Sequence, residues 1–190
     1  SSNASNLVLN YAGTLQYTGA AVNTNRLFSI GANLGGIIDA SGSGAIDFDN
    51  PGPIGFNGST TAARYLGLVG NNAGNNTLAA TITDSSGGGK TSVTKGGTGT
   101  WLLTNTANSY TGVTTAGGGI LNVASLANGG SNSAIGASSN VAANLVLSGG
   151  TLQFTGSANQ TTDRLFTITA TGGTIDSSGA GILDFTNAGA

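Results

Sequence analysis

The chain contains no cysteine, methionine, histidine or glutamate. Without cysteine there is no disulfide framework. Without histidine or cysteine, a nucleophilic triad or a transition-metal site lacks its usual base, nucleophile and ligands. Charge is scarce as well. Only 6% of the 190 residues are charged, against about 25% in an ordinary soluble domain. The five basic residues, Arg26, Arg64, Lys90, Lys95 and Arg164, are scattered, and the isoelectric point is near 4.5. A nucleic-acid partner is therefore not expected, because phosphate backbones are gripped by clustered Lys and Arg. No apolar run approaches the ~20 residues of a membrane span. There is no initiator methionine, basic leader or apolar signal core, so the sequence reads as a mature or excised segment.

What remains is glycine, with 34 residues, and a large stock of Ser, Thr, Asn, Ala, Leu, Ile and Val. Disordered chains are poor in apolar residues and rich in net charge. Here 38% of residues are hydrophobic, the mean hydropathy is +0.12 and the net charge is −2. Such a chain must bury its apolar side chains, and it is long enough to build one sizeable core.

The most informative feature is self-similarity. Asn6-Leu7-Val8-Leu9 returns as Asn144-Leu145-Val146-Leu147, and Thr14-Leu15-Gln16-Tyr17 as Thr151-Leu152-Gln153-Phe154. Arg26-Leu27-Phe28 returns as Arg164-Leu165-Phe166, Ile38-Asp39 as Ile175-Asp176, and Asp47-Phe48 as Asp184-Phe185. Even Ser1-Ser2-Asn3 matches Ser138-Ser139-Asn140. Residues 1–137 thus form one full repeat unit. Residues 138–190 form the first third of the next, continuous with the first.

Within the unit, apolar residues alternate with polar ones over short runs. Examples are Leu7/Leu9, Leu15/Tyr17, Trp101/Leu103, Leu121/Val123, Leu145/Leu147 and Leu152/Phe154. That is the period of a half-buried strand. Gly, Asn, Ser and Thr clusters between the runs read as turns, and no window shows a helical stripe. Two all-β architectures fit: a parallel β-helix (β-solenoid) and an antiparallel β-sandwich. Asn57-Gly58 and Asn128-Gly129 suit hairpin turns and favour the sandwich. The tandem array, the Asn/Thr/Ser faces able to stack as ladders and glycine at the corners favour the solenoid. At ~20–25 residues per coil and ~4.8 Å between coils, about six coils per unit and about eight in the chain are expected.

One segment is more specific. Lys95-Gly96-Gly97-Thr98-Gly99-Thr100-Trp101-Leu102-Leu103-Thr104 is followed by Asn108-Ser109-Tyr110-Thr111-Gly112-Val113-Thr114-Thr115. Gly119-Ile120-Leu121-Asn122-Val123 then closes it. It resembles the autotransporter-associated β-strand repeat, or passenger-associated transport repeat, whose pattern runs K-x-G-x-G-T-x-x-L, N-x-Y-T-G-x-T, G-x-L-x-V. Ile120, where the family has Thr, and the shift at Gly97-Thr98 are the departures. The resemblance covers about 30 residues. It implies a right-handed parallel β-helix, secreted across a Gram-negative envelope and displayed on the bacterial cell surface.

The candidate site residues are structural. Leu7, Leu9, Leu15, Tyr17, Phe28, Trp101, Leu103, Tyr110, Leu121, Val123, Leu145, Leu147, Leu152, Phe154 and Phe166 are expected to face the core. No catalytic, cofactor-binding or metal-binding residue is expected. Asp39, Asp47 and Asp49 come nearest to a carboxylate pair for general acid–base work. The first two are copied at Asp176 and Asp184, which suits a structural role. Calcium would suit such carboxylates, but the G-G-x-G-x-D pattern is absent. Turn caps, or an Arg26–Asp39 pairing echoed by Arg164–Asp176, account for the acids. Gly87-Gly88-Gly89-Lys90 has neither the spacing nor the helix of a phosphate loop.

The expected role is a non-enzymatic stiff stalk in an extracellular surface fibre or adhesin, lengthened by tandem stacking. The alternative is a glycan-binding or glycan-cleaving β-helix. Expected partners are further repeats or end-to-end copies of itself, and a host or neighbouring cell surface.

Overall fold

The computed structural model describes residues 2–189. Their regular structure is nineteen short strands and two single 3₁₀ turns, Ala4–Asn6 and Ala142–Asn144. One seven-stranded sheet holds β2 (Gly13–Tyr17), β5 (Gly36–Ala40), β8 (Arg64–Val69), β10 (Thr91–Lys95), β12 (Thr114–Ala116), β14 (Leu145–Leu147) and β17 (Thr167–Ile168). A second holds β3 (Val22–Thr24), β6 (Ile46–Phe48), β9 (Asn75–Leu78), β11 (Thr100–Leu103), β13 (Ile120–Val123), β15 (Thr151–Phe154) and β18 (Thr174–Ser177). The third side is broken. It has β1 (Val8–Leu9), β4 (Ser29–Gly31) and β7 (Gly55–Asn57) at one end, and β16 (Gln160–Thr162) and β19 (Leu183–Phe185) at the other. Between them single bonds carry the stacking, such as Ser109 N–H to Ile82 O at 3.0 Å and Ser133 N–H to Asn108 O at 3.3 Å.

Neighbouring strands in these sheets run parallel, as β10 beside β8 and β11 beside β13. In each turn the other two sides supply the crossover that parallel strands require. The fold is therefore an all-β solenoid of about seven turns, not the sandwich. The hairpin reading fails for a simple reason: Asn57 ends β7 on the third side, and β8 starts on the first. Gly58, at φ +83°, turns a corner between sides rather than reversing the chain.

Turn length is uneven. Val113 N–H reaches Ser92 Oγ across 21 residues, whereas Asn122 Nδ2 reaches Gln153 Oε1 across 31 residues, and each bond joins adjacent turns. The extra residues of the long turn lie between β13 and β14, where Asn128 O accepts from Ser131 N–H in a tight turn. The count is therefore lower than the eight coils that even spacing implies.

The two copies do not superpose side on side. β1, β2 and β3 lie on the third, first and second sides. Their sequence counterparts β14, β15 and β16 lie on the first, second and third. From β2 to β14 is five turns on one side, and β15 sits one side further on. One unit makes five and a third turns, not six. Local contacts survive the change of side. Gln16 Nε2 donates to Asp39 Oδ2 at 2.9 Å on the first side, and Gln153 Nε2 to Asp176 Oδ2 at 2.8 Å on the second. Phe28 meets Phe48 edge to face at 5.9 Å, and Phe166 meets Phe185 at 5.5 Å, both at 73°.

Candidate functional site: the contacts between turns

The core is a column of side chains from all three sides. Of the residues expected there, Leu9, Phe28, Trp101, Leu103, Tyr110, Leu121, Val123, Leu145, Leu147, Leu152 and Phe154 are buried. Leu7, Leu15, Tyr17 and Phe166 are half-buried. Trp101 reaches back one turn, its Nε1 donating to Val69 O at 2.9 Å. An indole N–H needs such a partner when buried.

Asparagines join the turns. Asn108 is 1% exposed. Its Oδ1 accepts from Ile82 N–H at 2.8 Å and its Nδ2 donates to Ala134 O at 3.0 Å, so one side chain ties three successive turns. Asn76 does the same between Ile46 N–H (3.1 Å) and Thr100 O (2.8 Å). At the corners Asn50, Asn72, Asn105 and Asn187 share another device. Each Oδ1 accepts from the backbone two residues on, and each Nδ2 donates to a carbonyl of the adjacent turn. That is an asparagine turn with a second bond added across the stack.

Three of the five cations are buried, which the scattered sequence positions did not suggest. Lys95 follows Thr91 and Val93 on the inward face of β10. Its Nζ donates to Gly96 O (2.6 Å), Gly118 O (3.1 Å) and Gly97 O (3.3 Å). Burial lowers its pKa from 10.5 to about 8. Arg64 donates to Ala62 O at 2.9 Å and Ser59 O at 2.5 Å, and lies 5.0 Å over the Phe56 ring. Arg164, 2% exposed, fills a bowl formed by the preceding turn. Its Nε donates to Ala127 O (2.8 Å), Nη1 to Ser138 O and Oγ (3.0 and 2.9 Å), and Nη2 to Gly136 O (2.9 Å). The period-two pattern Thr91/Val93/Lys95 was the sequence signal for Lys95. The carbonyl bowl around Arg164 had none, because it is built from a distant loop.

The expected Arg–Asp pairing is not what holds the acids. Asp39 accepts from Gln16 and Ser41, and Asp176 from Gln153 and Ser178, while Arg164 spends its donors on oxygens of residues 127–138. Asp84 takes Thr91 N–H at 2.8 Å and the Thr111 hydroxyl at 2.6 Å, bridging two turns. Asp163 takes Gly129 N–H at 2.7 Å. Asp39 and Asp47 stand on different sheets, in β5 and β6, so they do not face each other as an acid–base pair. Among the described residues no three acidic side chains gather as metal ligands. At Gly87-Gly88-Gly89, Gly88 N–H donates to Ser85 O and Gly89 N–H to Thr60 O, a corner turn.

Surface hollows among the described residues include three. One, of about 380 Å³, is lined by Lys90, Thr111, Asn140 and Asp163. An apolar one of about 570 Å³ lies at the corner of Ala12, Leu34 and Tyr65. A third, of about 400 Å³, opens among Leu7, Leu15, Tyr17, Thr24 and Arg26.

Fold and contacts together define a parallel β-solenoid in which the second sequence copy repeats several turn-to-turn contacts of the first. Over its whole length the chain is 46% identical to a stretch of the adhesin BmaC autotransporter of Brucella suis biovar 1 (strain 1330). It spans 5% of that protein's length. No protein-family model matches the chain, and no solved structure matches it.

Proposed function

We propose that this chain is a non-enzymatic segment of an extracellular bacterial surface adhesin or fibre, serving as a stiff stalk of the autotransporter-repeat kind. The carrying observation is the parallel stacking of two seven-stranded sheets about one core, in which the second sequence copy renews contacts of the first such as Gln16–Asp39 and Phe28–Phe48. Each turn packs chiefly on its immediate neighbours, so copies add length without changing local energetics. The likeness to an autotransporter adhesin supports a place on the cell surface. The interior polar groups serve the stack itself, which supports a mechanical role over a catalytic one.

The test is one of length. Deleting one 137-residue unit from the polypeptide that carries this chain removes five and a third turns. At ~4.8 Å per turn the surface projection shortens by about 26 Å, read by cryo-electron tomography of whole cells. A projection of unchanged length overturns the stalk.

A further inference from the structure

The second copy shows what covers the first. Leu145, Leu152 and Phe154 are buried at 1%, 1% and 0% exposure, and Thr162 and Arg164 at 0% and 2%. Their counterparts Leu7, Leu15, Tyr17 and Thr24 are only half-buried, and Arg26 is exposed. Those five first-copy residues line the hollow of about 400 Å³. In the second copy the covering comes from the end of the first unit. Thr162 Oγ1 donates to Ala127 O at 3.1 Å, and Arg164 enters the carbonyl bowl of Ala127, Gly136 and Ser138.

We infer that the surface around Arg26 is a docking face for a second copy of the 126–140 segment, with the Arg26 guanidinium as its plug. This rests on the stalk reading and adds the residue that joins one unit to the next. The plug is already shaped. Arg26 N–H donates to Thr24 Oγ1 at 3.3 Å, as Arg164 N–H does to Thr162 Oγ1 at 3.2 Å. A guanidinium presents five donors in a fixed fork and stays charged. A ring of carbonyl oxygens answers it without a carboxylate. Asn25 replaces Asp163, and its amide oxygen offers the same acceptor to the counterpart of Gly129 N–H. Val22 replaces Gln160 and has no acceptor to stand in for Gln160 Oε1, which takes Leu126 N–H in the second copy.

The experiment compares the 190-residue chain with the same chain carrying a further copy of residues 1–137 ahead of Ser1. That junction repeats the natural join at residue 138. Arg26→Leu leaves the melting temperature of the 190-residue chain in place, whereas Arg164→Leu lowers it by several degrees. In the extended chain, Arg26→Leu of the 190-residue portion lowers the melting temperature as Arg164→Leu does. Without any substitution, the amides of residues 22–26 exchange roughly 100-fold more slowly in the extended chain. Unchanged exchange there, or a silent Arg26→Leu in the extended chain, overturns the docking face. Either result leaves the length test of the stalk untouched, because that test does not depend on which residues make the join.

Discussion

Asparagine and lysine carry much of this structure, and neither is a usual core residue. Replacing Asn108 by Ala strands Ile82 N–H and Ala134 O inside the stack. The expected cost is about 1–3 kcal/mol for each buried group left unpaired, read from urea unfolding. Lys95 makes a pH prediction. Its pKa is lowered in the fold to about 8 from 10.5, so the unfolded chain binds more protons between those values. Stability then rises with pH from about 8 toward 10. Tyr110, whose burial raises its pKa, acts in the opposite sense above about 10: the unfolded phenol ionises there while the folded one does not, so the unfolded chain binds fewer protons and stability falls. Lys95→Met should flatten the rise between pH 8 and 10 in denaturant midpoints. At this scale the apolar core was legible, since an alternating Leu or Phe has one reason to be where it is. The buried asparagines and cations were not. Their partners are carbonyls of other turns, and a carbonyl leaves no mark in a sequence.

At the scale of strands and corners, legibility was higher. The i, i+2 pairs fall on strands such as β11 and β15 because a pleated backbone sends alternate side chains to opposite faces. The glycine clusters fall at corners, but they differ in importance. Gly35 has φ +66°, and a Cβ there would lie 1.8 Å from Tyr65 O of the next turn. Gly130 has φ +83° with open space around it. Gly35→Ala therefore carries both the left-handed backbone cost, about 1–2 kcal/mol, and a backbone clash. Gly130→Ala carries the first alone. Urea midpoints should separate the two variants, with Gly35→Ala clearly the less stable. Which glycine is pressed against a neighbour depends on how turns lie over each other, and local spacing does not report it.

For the whole molecule, the winding number is the consequential quantity. With five and a third turns per unit, each copy is rotated by a third of a revolution from the last. An array of such units shows any lateral feature on all three sides in succession. Because the chain has no cysteine, the winding is readable with introduced pairs. Thr115 and Val146 are outward-facing register partners on β12 and β14. Thr115→Cys with Val146→Cys should react with a short bis-thiol bimane reagent and fluoresce. A whole number of turns would instead put Val146 on the side of Val8, away from Thr115, and the pair would stay dark.

The sequence by itself determined that strands are short, that they alternate inward and outward, that corners are glycine-rich and that the pattern starts again at Ser138. These follow from steric and burial rules acting over a few neighbouring residues, so each stretch declares them independently. Only the tertiary structure decided which side each copy occupies, how many turns a unit takes and where the cations are seated. Turn length varies, from 20 residues between β11 and β13 to 31 between β12 and β14, and the side reached by any strand is the accumulated result of every corner before it. Small differences at each corner sum to a full change of side, which only the stacked whole can register.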